Sequence, residues 1–95
     1  PVEAGAYLYE KKGCNQCHSV DGSSGVGPSF KGKWGTERGL VTGEKVAIDE
    51  NYIRESVLMP QAKVAEGYAP VMPTYQGKLK DGEISAIIEY IKSLK

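Results

Sequence analysis

Residues 14–18 read Cys14-Asn15-Gln16-Cys17-His18, two thiols three positions apart with an imidazole directly after the second. On one turn of chain this spacing lets both sulfurs form thioethers to the two vinyl groups of one haem while the imidazole meets the iron from below. His18 is the only histidine in the sequence, so no other imidazole competes for that position. Two other chemistries use a Cys-x-x-Cys pair. A closed zinc shell needs about four protein ligands, and no second pair or distant histidine supplies them. A redox dithiol belongs in a strand-helix context, and the flanking residues show no such strand. The spacing therefore predicts one covalently bound haem c.

A small chain has to position this group. Its 95 residues include 12 glycines and five prolines, a composition that buries little by itself. Domains of this size often need a disulfide, metal or cofactor to complete the core, so the haem is expected at the centre of the packing. Twelve basic and twelve acidic side chains give zero formal net charge, which excludes the basic footprint of a nucleic-acid binder. Lys11, Lys12, Lys31 and Lys33 lie near the cysteine pair against only Asp21, whereas residues 37–66 lean acidic. That basic excess reads as a solvated surface in preference to a docking patch. No stretch approaches the ~20 apolar residues of a membrane span, and no signal-like segment precedes the domain. A start at Pro1 suggests a processed form or a domain cut from a longer polypeptide.

Taken in order, residues 2–12 predict a first helix, with Val2, Gly5, Ala6 and Tyr9 at helical spacing and Gly13 ending it. Gly5 weakens a helix, so its presence there points to close packing by a neighbour. The run Asp21 to Pro28 is built of turn-formers and has to wrap the haem. Within it the Pro28 carbonyl is assigned as acceptor for the other ring N–H of His18. Trp34 could donate its indole N–H to a haem propionate and Arg38 could neutralise one; each could equally be a packing or surface residue. Residues 45–48 predict a short extended piece. A second helix is expected from an Asp49 N-cap to Pro60. The clearest helix spans about 81–94, with Ile84, Ile87, Ile88, Ile91 and Leu94 on one stripe and Tyr90 beside it. This stripe is the expected partner of the Gly5 and Tyr9 face.

Each of the two methionines precedes a proline. Met72-Pro73 lies in a proline-braced loop that can cross the open face of the haem, so Met72 is the expected second axial ligand. Met59 ends a helix and is expected to fill space against the haem edge. Soft sulfur opposite an imidazole raises the reduction potential over a bis-histidine site.

These features resemble a class I cytochrome c over nearly the whole chain. The resemblance rests on Gly5 and Tyr9, the 14–18 motif, Gly27-Pro28, Met72-Pro73, and the stretch from Leu79 through Tyr90-Ile91-Lys92-Ser93-Leu94. It implies an all-α fold, residues 1–95 forming a single domain of short helices and loops wrapped around one haem c. Cofactor-binding residues would be Cys14, Cys17, His18, Pro28, Trp34, Arg38, Tyr68 and Met72, with His18 and Met72 on the metal and no catalytic residue. More narrowly, residues 49–56, Pro60 and Gly67-Tyr68 ahead of Met72 are similar to the C-terminal cytochrome c domain of subunit II of bacterial haem-copper oxidases. That likeness implies a monomeric, non-enzymatic domain of a respiratory chain, taking electrons from a soluble donor protein and passing them to the oxidase copper centre. It would lie in the periplasm or on the outer face of the cytoplasmic membrane, touching the membrane only through its parent subunit. A free-standing soluble periplasmic cytochrome c is the alternative. A haem enzyme or gas sensor needs an open iron position and, for peroxide chemistry, a distal acid–base group, and no second histidine exists to be one.

Overall fold

A computed structural model of the chain describes residues 2–95. Its elements are α1 (Val2–Lys11), a short 3-10 turn (Cys14–Gln16), β1 (Glu37–Gly39), β2 (Lys45–Ala47), α2 (Glu50–Leu58) and α3 (Asp81–Ser93). The three helices fall where apolar periodicity and caps place them. Asp49 accepts a hydrogen bond from the Tyr52 N–H at 2.9 Å, satisfying an otherwise orphaned donor at the start of α2. Glu83 reaches back to the Lys80 N–H at 2.8 Å and does the same for α3.

The frame is the crossing of α1 and α3. Ile84, Ile87, Ile88 and Ile91 are buried, Ile88 with only 1% exposure, and each removes about 1.5–3 kcal/mol worth of apolar surface from water. A Cβ added to Gly5 would fall inside the Ala86 carbonyl and 2.7 Å from Tyr90 Cβ, so the two backbones meet where only a glycine fits. One turn on, the rings of Tyr9 and Tyr90 pack with centroids 5.6 Å apart. α2 adds Tyr52, Ile53 and Val57 to the same core. Arg54 joins it to α3 through Asp81 and Ser85 at 2.6 and 2.5 Å; the ion pair with the exposed Asp81 contributes little, and the Ser85 bond is partly buried.

The sequence reading missed one element. The extended piece at residues 45–48 is β2, and it pairs antiparallel with β1 in the register Glu37↔Ala47, Arg38↔Val46, Gly39↔Lys45. Leu40, 2% exposed, continues from β1 to a bridge with Ala65. This two-stranded ribbon is small beside the helices, and it fixes the segment that carries Arg38. Between α2 and α3, residues 59–80 contain no helix or strand.

Candidate functional site

The helices and loops leave a cleft whose walls bring together Cys14, Cys17, His18, Pro28, Arg38, Tyr68 and Met72. Most of its lining is apolar, with Ile48, Ile53, Val57, Leu79, Ile87 and Ile91 supplied by α2, α3 and the connections beside them.

On one side the chain is closely determined. Gly13, with φ of +81°, turns the chain out of α1 into the 3-10 turn that begins at Cys14. The His18 N–H then bonds the Cys14 carbonyl at 2.9 Å, folding the five-residue motif onto itself. Both thiols are half-buried and unbridged. Burial pushes the Cys14 thiol up from its ordinary range. His18 Nδ1 lies 2.7 Å from the Pro28 carbonyl oxygen, the contact expected from the Gly27-Pro28 corner. Since a carbonyl only accepts, the proton sits on Nδ1 and Nε2 keeps its lone pair for a metal. Burial, and secondarily the positive charge of Arg38, hold the imidazole below its ordinary pKa against the opposing effect of the Pro28 bond. The neutral ring is the form that ligates.

Three further residues support this imidazole: Tyr9 and Gly27, which the resemblance includes, and Phe30, which carries no sequence signal. The Phe30 ring stacks on it at 4.5 Å with an interplanar angle of 18°. The Tyr9 hydroxyl donates to the His18 carbonyl. Gly27 is required by space: a Cβ there would sit 2.6 Å from His18 Cε1. The Gly27 N–H closes the loop onto the Cys17 carbonyl at 2.9 Å.

The other expected residues divide. Met72 is half-buried, packs against the core cluster and lines the cleft. Met59 is 61% exposed and off the cleft wall, so its expected role as filler against the haem edge is corrected. The α2 C-cap turns its side chain toward solvent once Tyr52, Ile53 and Val57 have taken the buried face. Arg38 lines the cleft with its Nη1 3.4 Å from the Tyr52 hydroxyl, while Tyr68 lines it with its hydroxyl 3.4 Å from Ser24 Oγ. Trp34 is not on the wall. Its ring packs against the core cluster and lies under Lys92, whose Nζ is 5.2 Å from the ring centroid. Lys33, one of the lysines noted near the cysteine pair, and Lys63, not noted in the sequence, line the cleft, and among the described residues no aspartate or glutamate does.

These residues fit a haem c. Two thiols and a neutral imidazole border an apolar slot, a thioether also lines it, and Lys33 and Arg38, with Lys63 paired to Glu55 beside them, bring positive charge for two propionates.

Comparison with known proteins agrees with this chemistry. The profile of the family described as Cytochrome c matches residues 2–95. "Cytochrome c2 iso-1" of Magnetospirillum fulvum is 30% identical over 92 residues, covering 86% of this chain and 91% of its own. "Cytochrome c2 iso-2" of Magnetospirillum molischianum is 31% identical over 90 residues with the same coverages. Among solved structures, cytochrome cH from Methylobacterium extorquens superposes with a TM-score of 0.69 at 25% identity, covering 97% of both chains.

Proposed function

Because this chain belongs to the cytochrome c family, and is thus an electron carrier with covalent haem c, we propose that His18 and Met72 are its two axial ligands. The observation that supports this most directly is the partition of the methionines: Met72 is on the cleft wall with His18, and Met59 points into solvent. When bound, the haem supplies a one-electron iron couple. The chain supplies the rest. Cys14 and Cys17 hold the group at two points, His18 presents Nε2 with its tautomer fixed by Pro28, and the walls of α2 and α3 keep water away. Arg38, with Lys33 and Lys63, answers the propionates. Two ligands fixed in advance leave little to rearrange when charge changes by one unit.

Val26 and Val71 line the cleft and are 55% and 59% exposed, forming an apolar lip where a redox partner can approach. Such exchange uses a small interface, under about 1,200 Å². The cytochrome c2 relatives, matched along 91% of their length, support a carrier of this size meeting donor and acceptor proteins. No helix among the described residues is long and apolar enough to cross a membrane. Covalent haem attachment is carried out on the outer side of energy-transducing membranes, so the 14–18 motif supports an extracytoplasmic setting. The narrower setting, a domain of oxidase subunit II feeding that subunit's copper centre, rests on residues 49–56, Pro60, and Gly67-Tyr68 ahead of Met72-Pro73 alone. Purification of the native protein decides: copper and a membrane-bound subunit travelling with it establish the oxidase setting, and recovery as a haem protein alone establishes the free carrier.

The ligand assignment is tested with Met72→Ala. The long-wavelength sulfur-to-iron charge-transfer band should vanish and the reduced protein should bind carbon monoxide. Retention of the band would move the ligand to Met59.

A further inference from the structure

Tyr75 lies three residues beyond Met72 and lines the cleft close to Cys14. Its hydroxyl donates to the Lys12 carbonyl at 2.7 Å, a bond between positions far apart in the chain. Lys12 is two residues before Cys14, so this bond ties the methionine loop to the segment that leads into the cysteine pair. Beside the Tyr75 ring the loop is anchored to α2, through the Tyr75 N–H to the Val57 carbonyl at 3.0 Å and Thr74 Oγ1 to the Leu58 carbonyl at 2.7 Å. Two other contacts reach the attachment side, Lys12 Nζ to the Lys78 carbonyl and Ser24 Oγ to the Tyr68 hydroxyl, both at 3.4 Å and exposed, so the 2.7 Å bond from the Tyr75 hydroxyl is the shortest and least exposed of the three. Burial raises the pKa of the Tyr75 phenol, so it stays a proton donor at ordinary pH.

We propose that Tyr75 is a positioning residue whose hydroxyl latches the Met72 loop to the attachment segment and so resists displacement of the thioether by an outside ligand. The proposal rests on Met72 being the ligand. For a competitor to reach the iron, the sulfur has to withdraw, and the loop beside it moves with it. The bond from Tyr75 to Lys12 opposes that movement, whereas the ring itself only packs.

The test is imidazole titration of the oxidised holoprotein, followed by loss of the sulfur-to-iron band, in the wild type, Tyr75→Phe and Tyr9→Phe. Phenylalanine keeps the ring and removes the hydroxyl. One neutral hydrogen bond corresponds to a change of about two- to tenfold in an equilibrium constant, so Tyr75→Phe should bind imidazole tighter by about that factor. Tyr9→Phe removes a hydroxyl that braces the His18 carbonyl and does not touch the methionine loop, so it should shift the affinity less than Tyr75→Phe does. Equal affinity in wild type and Tyr75→Phe overturns the latch, as does an equal shift in both variants, which would mean general loosening. Failure of the underlying ligand assignment looks different: the band would then survive Met72→Ala.

Discussion

The two faces of the cleft are built in opposite ways. On the histidine side, residues 13–30 are cross-braced within a short span: His18 is held by its own N–H, its carbonyl, its Nδ1 and a stacked ring. On the methionine side, residues 59–80 contain no helix or strand and are pinned at separated points: Val64 to Glu66 against Gly39 to Val41, Lys63 to Glu55, and Thr74 and Tyr75 to α2 and Lys12. The difference teaches where tolerance lies. A side chain determined by many short-range contacts transmits any substitution to the metal ligand, while a loop hung from a few anchors absorbs most changes and fails only at those anchors.

Gly27→Ala should break the histidine side most. The added methyl meets the imidazole at 2.6–3.1 Å, and the Gly27 backbone is itself bonded to Cys17, so the ring has to shift. Overpacking of this kind costs about 1–3 kcal/mol. Guanidinium unfolding followed at the Soret band should show that loss; an unchanged midpoint would mean that the histidine side yields as readily as the other.

Acid should also act through the histidine side. The folded protein holds His18 below its ordinary pKa, so the unfolded chain takes up a proton first, and stability falls as pH drops from about 6.5 toward the depressed folded value. The slope from this one group is at most about 1.4 kcal/mol per pH unit, and iron binding acts in the same sense because a ligating imidazole has to be neutral. A thioether has no proton to gain in this range. Unfolding curves at pH 7 and pH 5 should therefore separate, and coincident curves would remove His18 as the acid-sensitive group.

The smallest effect belongs to Met59→Ala. An exposed side chain off the cleft should change stability by no more than about 0.5 kcal/mol and leave the sulfur-to-iron band intact. Loss of the band would reverse the roles of the two methionines.

The same contrast explains what could be read from the residues. The five-residue motif, the Pro28 contact, the Asp49 cap and the isoleucine stripe are signals within a few positions of one another, and each has its partner in reach. The Gly5 crossing was legible because a glycine inside a helix demands an explanation. Phe30 on His18, Tyr75 on Lys12 and β1 on β2 are pairings chosen by the folded chain, and no local pattern announces them. Trp34 stayed open between propionate and packing, and Met59 was expected on the haem edge, for one reason: an aromatic or a thioether suits a haem wall and a core edge equally, and only tertiary packing tells the two apart.

The glycine contact between α1 and α3 has a bearing on the order of assembly. The two segments that touch most closely are among the first and last of the described chain to be made, so α1 emerges without the surface it fits. Joining them closes a loop spanning nearly the entire polypeptide, an entropically late event. Until that closure the thiols next to α1 belong to unclosed chain, open to the attachment of the porphyrin.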